Sequence, residues 1–205
     1  MCAQRRIALY GGTFDPVHVG HIEIARRVSE VFEIESVIFI PAQMAPHKIG
    51  RPVTPPIHRY AMLALATQDD PRLLVSTFEL DDPDRRYTVD TVEHFQRELN
   101  DSTELFFIMG ADSWAEITTW REWERLLTMI NFIVVTRPGY EPGTAHASNI
   151  FFTDAVMNDA SATNIRRLAN EGRYEELVNL LPGPVLEYIK KYEIYRELNE
   201  AKLNS

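Results

Sequence analysis

Two histidines three residues apart, His18 and His21, close the run Gly11-Gly12-Thr13-Phe14-Asp15-Pro16-Val17-His18-Val19-Gly20-His21. The run follows an apolar segment, Ile7-Ala8-Leu9-Tyr10. It reads as a short buried strand, a tight glycine turn and a helix that opens on the histidines. Amides at a helix N-terminus point outward, and the helix dipole makes that spot favourable for anions. Residues spaced like His18 and His21 project from the same side of a first turn. Gly20 between them removes a side chain where a ligand would approach. The chemistry indicated is phosphate binding beside two imidazoles. The run is not a Walker loop, because no Gly-Lys-Ser/Thr follows, and it lacks GxGxxG spacing.

Two further sites fit the same chemistry. Pro41-Ala42-Gln43-Met44-Ala45-Pro46-His47-Lys48 follows the second expected strand and opens a stretch, Pro41–Pro56, that holds five prolines. Ligands of open α/β sheets bind outside the carboxyl ends of strands, where this loop emerges, and Lys48 would bring a compact positive charge. Ser161 is expected to cap a helix with Arg166 in its first turns, and a helix N-terminus beside a guanidinium suits phosphate oxygens. Six histidines raise the question of a metal. No thiolate pair or HExxH accompanies them, so no protein-bound transition metal is expected. Magnesium is expected only with a bound nucleotide triphosphate, held largely by phosphates and water.

The elements that must position these groups alternate. Ile7–Tyr10, Ser36–Ile40, Leu73–Ser76, Leu105–Met109 and Phe132–Thr136 read as strands, with Ile150–Phe152 a weaker one. Ile22–Phe32, Ile57–Thr67, Val89–Leu99 and Trp114–Leu127 carry helical spacing. The alternation predicts a doubly wound, Rossmann-like parallel sheet with helices on both faces, and from Ser161 to Arg196 a helical C-terminal part. At 205 residues, with no internal repeat or linker, one domain spanning the chain is expected. A net charge of -9 argues against broad nucleic-acid binding. A single cysteine, Cys2, and no apolar run of transmembrane length fit a cytoplasmic protein; a homo-oligomer stays open.

The eleven-residue run resembles the signature of the nucleotidyltransferase superfamily whose members carry HxGH at the first helix. The Pro41–Lys48 segment resembles the proline-rich PPHK loop of the nicotinate-mononucleotide adenylyltransferases, with Ala45 replacing one proline. His58-Arg59, Tyr87-Thr88-Val89-Asp90-Thr91, Gly110-Ala111-Asp112-Ser113, Thr119-Trp120, Arg137-Pro138-Gly139 and Ser161-Ala162-Thr163-Asn164-Ile165-Arg166 recur in that family's order, over roughly Ile7 to Tyr195. The resemblance implies transfer of AMP from ATP to nicotinate mononucleotide, giving nicotinate adenine dinucleotide and pyrophosphate in NAD synthesis. It implies His18, His21, Lys48 and Arg166 as the charge-handling set. It also implies ATP contacts at Gly11, Gly12, Thr13, Phe14, Gly110, Asp112, Ser161, Thr163 and Ile165. Gly12, Thr13, Lys48, Thr88, Trp120, Arg121 and Arg137 would hold the mononucleotide.

Some of these implications have physical support of their own. Thr88 is expected to cap a helix whose first amides form a donor array. A nicotinate carboxylate accepts from such donors, whereas a nicotinamide presents an opposing NH₂. Trp120 matches the family's ring-stacking residue, and Trp123 is assigned to packing. Arg121 stands where the family often has an aromatic, and Ala160 where many relatives have isoleucine. A phosphopantetheine adenylyltransferase shares the HxGH helix, but those chains are shorter and lack the Tyr87–Thr91, Trp120 and proline-rich features. A non-catalytic nucleotide-binding module on the same fold is the alternative of a different class.

Overall fold

The computed structural model describes residues 5–43, 53–81, 87–99, 102–136, 148–154 and 160–196. Six parallel strands are present among them: β1 (Arg5–Gly12), β2 (Ser36–Pro41), β3 (Leu73–Val75), β4 (Thr103–Gly110), β5 (Asn131–Thr136) and β6 (Ile150–Asp154). They lie in the order β3-β2-β1-β4-β5-β6. The chain therefore winds outward from β1 in one direction, then crosses to β4 and winds outward in the other. The point of reversal lies between the carboxyl ends of β1 and β4, the place where open α/β sheets bind ligands. The doubly wound expectation holds, and the weak candidate at Ile150–Phe152 is a full edge strand.

Seven α-helices join the strands among the described residues: α1 (Val19–Val31), α2 (Pro56–Thr67), α3 (Thr88–Glu98), α4 (Ala111–Ala115), α5 (Trp123–Met129), α6 (Ala162–Asn170) and α7 (Gly183–Lys191). The strands read as continuous apolar runs because both faces of the sheet are covered. Along β1, Ala8 and Tyr10 face a core shared with residues of α1, α2, α6 and α7. Ile7 and Leu9 face the other core, with Val89, Val92 and Phe95 of α3 and Leu126 of α5. Period-two alternation thus sorts one strand between two cores. Helix α1 buries Ile22, Ala25 and Val28 at helical spacing, which holds its first turn against the sheet.

The Trp114–Leu127 helix does not form as one element. It breaks into α4, a single 3-10 turn over Ile117–Thr119, and α5. Trp120 is extended and Glu122 has a left-handed φ of 52°, which no continuous helix tolerates. The break matters for the site, because it lifts Trp120 and Arg121 out of a helix face into a connecting turn.

Candidate active site

The turn after β1 differs from a glycine turn. Both glycines belong to the extended strand, Gly11 beside Ile40 and Gly12 beside Pro41 of β2. The left-handed residue is Phe14, at φ 49°. Close packing explains the glycines instead. A Cβ on Gly11 would stand 2.9 Å from the Phe107 ring, and one on Gly12 would stand 2.8 Å from the Phe14 ring. Phe14 itself is buried, edge-on to Tyr10 and to His21. Its side chain packs among Tyr10, His21 and Phe39.

His18 is the N-cap of α1, and His21 lies in the first turn. Their rings are 3.7 Å apart between centroids. The His18 amide donates to Nδ1 of His21 at 3.2 Å. Nδ1 therefore carries no proton, and the neutral ring holds its hydrogen on Nε2, the atom left to donate to a ligand. Burial lowers His18 to about 4 and puts His21 well below the ordinary imidazole value, with His18 adding to the second shift. Both rings are neutral near pH 7 in the free chain. The helix amides are fewer than the sequence suggested, since the Val19 amide donates to the Leu180 carbonyl at 3.1 Å.

Ser161 caps α6 by accepting from the Asn164 amide, as expected. Arg166 reaches from that helix to the turn, its Nη1 donating to the Asp15 carbonyl at 2.7 Å and its Nη2 to Thr163 Oγ1 at 3.4 Å. The closing motif and the opening motif, far apart in sequence, thus meet. Ile165 lies in the core, and its amide is spent on the Ser161 carbonyl, so it can serve a ligand only by seating Arg166. Gly110 ends β4 beside β1 with open space where a Cβ would stand, and Asp112 follows in α4.

The mononucleotide candidates gather on the other side. Thr88 is not the cap of α3: Tyr87 is, with no side-chain cap bond, and Thr88 is the first helical residue. Arg121 lies 4.7 Å over the Tyr87 ring, which brings the turn after α4 to the α3 N-terminus. Trp120 stands edge-on to Phe107, the ring that covers Gly11. One line of contacts therefore joins the end of β1 to Trp120. Lys48 and Arg137 lie outside the described residues.

Sequence reasoning missed three groups. Arg59 is fully buried in α2 and donates to the carbonyls of Thr54, Thr13 and Gln43 at 2.9, 2.8 and 3.2 Å. Burial lowers its pKa, and the nearby Asp15 carboxylate opposes that. The signal for it was a guanidinium inside the apolar run Ile57–Thr67. Asp15 is buried within the opening motif, where no role was assigned to it.

Glu79 is the third. It accepts from Thr91 Oγ1 at 2.7 Å beneath the first turns of α3. Burial pushes it up to about 7, Thr91 pulls it down and Asp90 pushes it up again. A carboxyl raised in the folded chain lends stability that is full below its ordinary value and lost as pH rises through about 7. Glu79→Gln, which keeps the uncharged shape, should match the parent in thermal melts at pH 4 and gain on the order of 2 kcal/mol at pH 8.5. A gain that is the same at both pH values would show that Glu79 does not titrate in this range.

The cytidylyltransferase-like family profile matches residues 9–168. The chain is 40% identical to the "probable nicotinate-nucleotide adenylyltransferase" of Thermoanaerobacter sp. (strain X514), over 95% of this chain and 96% of that one. It is 42% identical to a protein of that name from Thermus thermophilus, over 93% and 100%. The structure of Plasmodium falciparum nicotinic acid mononucleotide adenylyltransferase complexed with NaAD superposes with a TM-score of 0.75 at 18% identity, over 93% of this chain and 97% of that one. At that identity the superposition speaks for the fold alone.

Proposed function

The chain belongs to the cytidylyltransferase-like family, among its nicotinate-nucleotide adenylyltransferases, and from that membership we propose how its own residues carry the reaction. A phosphate oxygen of nicotinate mononucleotide attacks the α-phosphorus of ATP. Pyrophosphate leaves, and nicotinate adenine dinucleotide forms. The nucleophile is already anionic near neutral pH, so no general base or covalent intermediate is needed. The difficulty is to bring two anions together and stabilise a charged phosphoryl transition state, which is positioning and electrostatics.

The observation that carries this reading is the close, tilted His18–His21 pair, with Nδ1 of His21 tied to the backbone so that Nε2–H is left for phosphate. An arriving triphosphate raises the pKa of imidazoles it touches, while their closeness disfavours charging both. Arg166 spends two of its five N–H groups on the turn and α6, and the rest serve the triphosphate. Lys48, which follows β2 in sequence, adds the compact charge. Magnesium arrives with ATP as part of the substrate. Phosphate oxygens and water would hold that ion.

Trp120 stacks on the pyridine ring, while the first amides of α3 and Arg121 read the nicotinate carboxylate; the Arg121–Tyr87 contact supports that grouping. No described helix is long and apolar enough to cross a membrane; we place the reaction in the cytoplasm. Pyrophosphate release with ATP and each acceptor in turn tests the reading. Nicotinate mononucleotide should exceed nicotinamide mononucleotide in kcat/KM by about tenfold or more, and 4′-phosphopantetheine should be inert. Equal values for the two mononucleotides would sink the donor array. Silence with every acceptor, despite ATP binding, would favour the non-catalytic module.

A further inference from the structure

The C-terminal helical part touches the phosphate turn at three places, on both sides of His18. Before it, Tyr195 Oη donates to Asp15 Oδ1 at 2.7 Å, and Arg166 Nη1 donates to the Asp15 carbonyl at 2.7 Å. After it, the Leu180 carbonyl accepts the first amide of α1. The second oxygen of Asp15 accepts from the Thr54 amide at 3.2 Å, so the carboxylate is held from two directions.

Tyr195 is also held in a special backbone state. It has a left-handed φ of 73°, and Glu193 two residues earlier has one of 50°. Non-glycine residues persist there only where the surroundings over-determine them. Ile194, buried between the two, anchors the turn in the core that also contains Phe14. Burial and the Asp15 carboxylate push the Tyr195 phenol up, so it stays a donor at every working pH.

We propose that Tyr195 is a positioning residue of the ATP half of the site, acting through Asp15 to set the turn that carries His18 and His21. The inference rests on the adenylyl-transfer reading above. Residues 13–17 link β1 to the cap of α1, and a shift of the turn moves both imidazoles away from the phosphates. A misplacement of about 1 Å at such a centre can cost about a hundredfold in rate.

Tyr195→Phe in the full chain removes the hydroxyl and keeps the ring. We expect KM for ATP to rise about tenfold and kcat to fall several-fold, with KM for nicotinate mononucleotide within about twofold of the parent and the melting temperature lower by about 2–6 °C, the cost of leaving a buried Asp15 oxygen without its donor. An unchanged KM for ATP overturns the inference. So does a lower melting temperature with both KM values kept, which is the mark of a purely structural contact. Should Tyr195→Phe not fold, Asp15→Ala yields the same split, since it takes from Tyr195 Oη the carboxylate oxygen that accepts its hydrogen. A parent protein that binds ATP by calorimetry yet releases no pyrophosphate would instead overturn the reaction itself.

Discussion

In His21→Ala, pyrophosphate release at saturating substrates falls by about a thousandfold. The ring does two jobs that a single deletion confounds. Nδ1 accepts the His18 amide and so helps cap the start of α1, while on the proposed reading Nε2–H donates to phosphate. His21→Asn separates them, because its Oδ1 can take the place of Nδ1 and nothing takes the place of Nε2. The asparagine variant should therefore melt like the parent and remain as slow as the alanine one. Recovery of rate in His21→Asn would reduce His21 to a cap, and near-parental turnover in His21→Ala would remove it from the mechanism. The same pair has a signature on the acid side. Imidazoles lowered in the folded chain lend stability that is present above about pH 6.5 and lost as pH falls toward about 4, the value to which burial brings His18. His21→Asn should lessen that loss, as read from melting temperatures between pH 7 and 4.

The parts of this site that were legible in the sequence are those whose chemistry is local. A strand, a short turn and two imidazoles at helical spacing can be read from eleven residues, and so can the Ser161 cap, because each depends on neighbours within one turn. What was illegible depends on residues far apart. Gly11 looked like a turn glycine, yet its reason is the Phe107 ring from β4. Thr88 looked like a cap, yet the cap of α3 lies one residue earlier, at Tyr87, whose ring then receives Arg121. Trp114–Leu127 kept helical spacing through a segment that tertiary packing breaks at Trp120–Glu122. Asp15 and Tyr195 are 180 positions apart, and no local pattern announces that they share a hydrogen bond. The resemblance to a family supplied the substrate; only the packing shows which groups hold the turn still.

Arg59→Met should be the most damaging change outside the residues that meet phosphate. Arg59 joins Thr13, in the turn after β1, to Gln43 and Thr54, which flank in sequence the segment bearing Lys48. Methionine matches the bulk of the stem and strips three half-buried carbonyls of their donors, at about 1 kcal/mol each. Removing a buried charge offsets part of that. A net loss of about 2 kcal/mol lowers the melting temperature by roughly 4–8 °C in a domain of this size. The functional loss should exceed what unfolding accounts for, because the tie sets Thr13, in the turn before His18, against Gln43 and Thr54. We expect kcat/KM for both substrates to fall about a hundredfold at a temperature where the variant is fully folded. Arg59→Lys tests whether charge or shape matters. An ammonium is a point donor and cannot span three carbonyls that a planar fork reaches at once, so lysine should recover little of the rate while balancing Asp15 electrostatically. Full recovery in Arg59→Lys would make the group a counter-charge for Asp15. A stable, active Arg59→Met would mean that the loops find their places without it.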